Sequence, residues 1–139
     1  MKISVLDGSN YFRGLLLLIR KDRKIDDTEA HLMKRIGKSL GFEREFCETA
    51  IREIMENKHI VDAPPKFSGK EIAGKFIRDG FALAVSDSEI HPAEEEWLWS
   101  TAERNGLDLD WFRQEKLDAT KRPSSPLRLE VDDLTVAHS

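Results

Sequence analysis

The stretch "SDSEIHPAEEEWLWSTAERNGLDLDW" (86–111) decides the fold once it is set beside "KDRKIDDTEAHLMKRIGKSLGFEREF" (21–46). The two align without a gap, so one constant offset relates them. Asp22 matches Asp87, Ile25 matches Ile90 and Glu29 matches Glu94. Further on, Leu32 matches Trp97, Gly41 matches Gly106 and Phe46 matches Trp111, while upstream Leu18 and Ile19 match Leu83 and Ala84. Both copies describe an apolar helix end, an Asp, a lone Ile in a polar turn, a Glu in the next first turn, an apolar stripe and a Gly stop.

Each position has a structural reason. A lone Ile before a helix pins the loop to the core and staples onto the first turn. A carboxylate in that turn complements the helix dipole. Gly supplies the left-handed residue after the last turn. The repeat therefore requires two helical hairpins related by pseudo-symmetry.

Working outward, the periodicity gives five or six helices. The first spans about 10–21, with Phe12, Leu15, Leu16 and Ile19 in register. The second follows Asp26, with Glu29 as its capping partner, and the third spans about 43–57 with Phe46, Ala50, Ile51 and Ile54 on one stripe. Pro64-Pro65 marks the midpoint. Ser68 and Glu71 read as a capping box opening a fourth helix, about 69–86. The fifth starts at Pro92, tolerated in a first turn, and the sixth spans about 108–118. No strand pattern persists; "LRLEV" (127–131) alternates but is short and isolated. The expectation is one all-α domain of two pseudo-symmetric halves, about 10–60 and 66–118. A lead-in (1–9) precedes it, and a flexible tail (119–139), ordered only by a partner if at all, follows.

Composition agrees. The 139 residues suit one domain. Apolar residues make up 40%, enough for a core, and charged residues 35%, which favours amphipathic helices. The net charge of −4 gives no global basic footprint for nucleic acid. Charge is uneven: residues 13–44 hold nine Lys/Arg against five Asp/Glu, and residues 87–118 hold three against ten. The single cysteine, Cys47, excludes an intrachain disulfide, fits a reducing, cytoplasmic setting and reads as a small buried hydrophobe. The longest apolar run, Leu15–Ile19, is far short of the roughly 20 residues of a membrane span. Neither a signal peptide nor a transmembrane helix is expected.

The doubled "D-x-x-I-x-x-x-E" between helices, in an all-helical chain of this size, resembles the TerB-like (tellurite-resistance protein B) family. The resemblance covers about residues 10–118 and implies an all-α domain of duplicated helical pairs. Arg23 and Ser88 stand where that family usually places Gly after the Asp.

Four chemistries come into question. The first is a divalent cation, Ca, Mg, Mn or Zn, held by Asp22, Asp26 and Glu29 with their counterparts Asp87, His91 and Glu94. The resemblance implies metal binding through such loop acids, whereas capping and solvation account for every one of them. The loops are not EF-hands: with Glu94 at loop position 12, Leu83, Val85 and Ser88 fall where two ligands and the glycine belong. The second, "GKEIAGKF" (69–76), is most of a P-loop, but Phe76 replaces the Mg²⁺-binding hydroxyl and no strand precedes it. Third, no motif pairs a nucleophile with a base. Fourth, Trp97 and Trp111 match core positions, while Trp99 matches Lys34 and is a candidate partner-binding residue.

The expected function is a non-enzymatic interaction module of the TerB-like type, responsive to a divalent metal. The resemblance places it in stress response or at the inner membrane face through a partner. The alternative is a metal-dependent enzyme using the acidic loops as ligands.

Overall fold

A computed structural model describes residues 1–22, 27–57, 63–86, 89–121 and 129–137. Six α-helices carry the fold: α1 (Val5–Ile19), α2 (Asp27–Ser39), α3 (Arg44–Glu56), α4 (Lys70–Ala84), α5 (Pro92–Arg104) and α6 (Leu109–Thr120). The offset that takes Asp22 to Asp87 also takes both bounds of α1 onto those of α4, and both bounds of α2 onto those of α5. The helix stops repeat as well. Gly41 (φ 83°) and Gly106 (φ 75°) are left-handed. Phe42 N–H donates to Gly37 O and Leu107 N–H to Ala102 O, each at 2.9 Å, closing both helices in the same motif. The domain is all-α and built of two pseudo-symmetric halves.

The core lies where α1 and α4 meet. Tyr11, Leu15, Leu18 and Ile19 of α1 and Ile72, Phe76, Ile77 and Phe81 of α4 are each 0–1% exposed. The residues of the P-loop look-alike thus include core positions of a helix. Met33 and Ile36 of α2, Leu40 just after it, and Leu98 and Ala102 of α5 pack onto this pair.

Short extended pieces tie the ends. β1 (Lys2–Ile3) pairs in parallel with β4 (Thr135–Val136), and β2 (Val85–Ser86) pairs with β3 (Glu89–Ile90), bringing Val85 opposite Ile90. Ile90 is half-buried against the core, as expected of a loop pin. Its counterpart Ile25 lies outside the described residues.

The chain departs from the sequence reading at three places. α1 begins at Val5, capped by the Ser4 side chain accepting from Asp7 N–H at 3.0 Å, so residues 5–9 are helix rather than lead-in. α4 has Gly69 at its N-cap with no side-chain cap, because Ser68 Oγ donates instead to Asp7 Oδ2 at 2.5 Å. Residues 129–137 are not a loose tail. A 3-10 turn (Glu130–Asp133) and β4 bury Leu129, Val131, Leu134 and Val136 in the core. Four apolar residues in eight give that segment enough area to dock, roughly 1.5–3 kcal/mol for each fully buried side chain.

Candidate functional site

The acidic loops come first. His91 is the N-cap of α5; its Nδ1 accepts from Ala93 N–H at 3.1 Å. Glu94, in the first turn of α5, is 5% exposed, and Glu29 is half-buried in the first turn of α2. Asp22 closes a 3-10 turn (Arg20–Asp22) after α1. Asp26 and Asp87 lie outside the described residues. Among the described residues no three His, Cys, Asp or Glu side chains converge as a ligand set. One ring nitrogen of His91 is taken by the cap, and Glu94 is buried at the start of α5.

Of the tryptophans, Trp97 alone is as buried as its register suggests. Trp97 is buried, its ring centroid 6.2 Å from that of Phe76. Trp111 is half-buried beneath the Arg78 guanidinium, 5.7 Å from the ring centroid. Trp99, expected at the surface, is half-buried and leans on Phe112 at 5.3 Å. The exposed aromatic is Phe46 instead. It is 51% exposed and packed with its ring centroid 5.1 Å from that of Phe42, the planes tilted by 50°, although its stripe on α3 placed it in the core.

One strongly perturbed carboxyl was not singled out from sequence. Asp79, on the buried face of α4, is 1% exposed. Its Oδ2 accepts from the Tyr11 hydroxyl at 2.6 Å and from Val131 N–H at 2.9 Å, and its Oδ1 accepts from Glu130 N–H at 2.7 Å. Burial pushes its pKa up to about 6, partly opposed by those three donors. Burial, reinforced by the Asp79 charge, raises Tyr11 well above the ordinary phenol value. The one legible signal was an acid three residues after Phe76 on an apolar stripe. The C-terminal turn covers Asp79, so this carboxyl acts as a latch between α1, α4 and that turn.

A cleft of about 380 Å³ opens between α1, the 63–66 segment and the end of α5. Its walls are set by buried polar bonds. Asn105 Oδ1 accepts from Phe67 N–H at 2.8 Å, and its Nδ2 donates to Pro65 O at 2.9 Å and Thr101 O at 2.8 Å. Further along the chain, Asp7 Oδ1 accepts from Ser68 N–H at 3.1 Å in a part-buried bond. Arg13, Lys66 and Arg104 line the cleft beside Asn10, and among the described residues no carboxylate does. Lys66 Nζ donates to Arg104 O at 3.2 Å. Neither Arg13 nor Arg104 has an ion pair or a side-chain hydrogen bond among the described residues. Sequence reading missed this site because an isolated Arg on a helix looks like solvated surface.

No family model, curated protein or solved structure matches the chain.

Proposed function

We propose that the chain is a TerB-like helical module that acts by binding a protein partner, without catalysis of its own. It works in a reducing, cytoplasmic setting, in stress response or at the inner face of a membrane. It responds to a divalent metal through the loops that precede α2 and α5. One observation carries the non-enzymatic reading: the described groups best suited to chemistry are engaged in holding the fold. Cys47 is 1% exposed and burial pushes its thiol up, away from the reactive thiolate. His91 caps a helix, and Asp79 is held by three donors. By contrast Phe46, packed on Phe42 and half exposed, offers a partner a rigid aromatic contact. Among the described residues no helix is long and apolar enough to cross a membrane.

The test is thermal unfolding of chelator-stripped protein with Ca²⁺, Mg²⁺, Mn²⁺ or Zn²⁺, beside Asp87→Asn/Glu94→Gln, with ester and phosphoester hydrolysis followed under the same ions. An ion at 100 times its Kd adds about 2.7 kcal/mol of stability. Stabilisation by one ion, lost in the double variant and without turnover, supports the metal-responsive module. Ion-dependent turnover lost in that variant replaces it with the metal-dependent enzyme. No shift with any ion removes the metal and leaves the acids as caps.

A further inference from the structure

The two halves differ at one equivalent place, and the difference marks a site. Under the offset that takes α1 onto α4, Asn10, Arg13 and Gly14 fall on Lys75, Arg78 and Asp79, and Pro65 falls on Glu130. The structure bears out this equivalence. Pro65 lies against Gly14, whose added Cβ would stand 3.1 Å from Pro65 Cγ, just as the Glu130 amide lies on Asp79 at 2.7 Å. The segment after α3 meets the end of α5 through Lys66 and Arg104. The segment after α6 meets the end of α2 through Asp132 and Ser39, at 3.2 Å.

In the second half the basic stripe carries its own acid. Glu130 Oε2 sits 3.1 Å from Lys75 Nζ, Glu130 Oε1 sits 3.9 Å from Arg78, and Asp132 Oδ2 sits 2.6 Å from Arg35. In the first half proline replaces that glutamate, the matching Arg13 meets no acid among the described residues, and Lys66 and Arg104 add two more cations. We infer that the first-half cleft is an anion site, and that its ligand is a small molecule carrying a phosphate or carboxylate cluster of at least two negative charges.

The chemistry fits. Guanidinium forks match oxyanions bidentately. Three cations gathered in one cleft repel one another until an anion neutralises them. The volume of about 380 Å³ lies within the span of small-ligand sites, roughly 300–1,000 Å³. Leu17, Ala63 and Pro64 offer apolar wall to a carbon skeleton. The Asn105 bonds hold the Pro65 wall in place beforehand, which lowers the ordering cost of binding. Because the chain is acidic overall, at −4, attraction to anions is local to this cleft rather than a property of the whole surface.

The test is titration calorimetry of the full chain with sodium pyrophosphate and with sodium citrate at matched ionic strength, repeated on Arg13→Gln/Arg104→Gln. The proposal expects saturable one-to-one binding that weakens as salt rises and falls about tenfold or more in the double variant. The unliganded double variant should melt no lower than the parent, since neither side chain has an ion pair or hydrogen bond among the described residues. Tighter binding of pyrophosphate would identify a phosphate ligand, and tighter binding of citrate a polycarboxylate. Absence of saturable heat with both anions at millimolar concentration, or equal affinity in the double variant, overturns it.

Discussion

Tyr11 and Phe76 occupy the same position in the two halves, and they meet edge to face with ring centroids 5.3 Å apart at 88°. The pseudo-symmetric relation between the halves runs through this contact. One partner carries a hydroxyl and the other does not. That hydroxyl reaches Asp79 and gives the pair its direction.

Asp79 makes stability depend on pH. Its folded pKa of about 6 stands above its ordinary 3.8, so the folded state binds the proton more tightly. The resulting contribution is fully present below 3.8 and is lost as pH rises through about 6. At about 1.36 kcal/mol per unit it amounts to roughly 3 kcal/mol. Measured by denaturant melts, parent minus Asp79→Asn should fall by this order between pH 4 and 6.5 as the chain loses the protonated form. A flat difference would contradict the burial of the ionised carboxyl. Tyr11→Phe removes a donor to the charged form and should move the window upward.

The C-terminal turn is held by apolar burial rather than by its ion pairs. Leu134→Ala, at a site 3% exposed, should cost about 2–5 kcal/mol. Arg35→Ala, which breaks the part-exposed pair with Asp132, should cost about 1 kcal/mol or less. Equal costs in urea melts would reverse that ranking.

Gly37 and Cys47 are coupled. A Cβ at Gly37 would run into Cys47 Sγ, with Phe12 Cε2 3.2 Å away. Gly37→Ala should therefore destabilise by about 1–3 kcal/mol from overpacking, despite the roughly 1 kcal/mol that alanine gains in helix propensity. In a Cys47→Ala background the sulfur is gone and the nearest atom of residue 47 is its Cβ at 3.6 Å, so most of that cost should vanish. Additive effects in the double-mutant cycle would show that the sulfur is not the obstacle.

Asn105→Ala orphans Phe67 N–H and Pro65 O, at roughly 1–3 kcal/mol for each buried group. Hydrogen exchange should show the Phe67 amide losing protection ahead of the α1 and α4 amides. Protection lost uniformly would mean that Asn105 supports the whole core and not the cleft wall alone.

How much of this was legible in the sequence follows from range. The helices, the two glycine stops and the constant offset are written in residues a few positions apart, where periodicity and capping act. Gly41 and Gly106 announce themselves beside their helices. Asp79 does not, because its donors lie 68, 51 and 52 residues away and its neighbours are ordinary helix. Leu129, Val131, Leu134 and Val136 carry no helical period, and the prolines and serines before them suggested a tail. Phe46 misled in the other direction: it holds the stripe on α3 but sits where that helix faces outward. Of the six residues in the metal reading, Asp26 and Asp87 lie outside the described residues. Arg13 takes on meaning only beside Arg78, whose acid has no counterpart at Arg13 among the described residues.

The segment after each half lies in a groove made by one helix of its own half and one of the other: 63–67 between α1 and α5, and 129–133 between α4 and α2. Neither groove exists in a separated half. A fragment ending before α4 would offer its exit segment half a seat, and its partner fragment would do the same. The duplication is therefore interlocked, unlike beads on a string. Heating should reveal one cooperative transition, with calorimetric and van't Hoff enthalpies in agreement, in place of two melts a repeat might suggest.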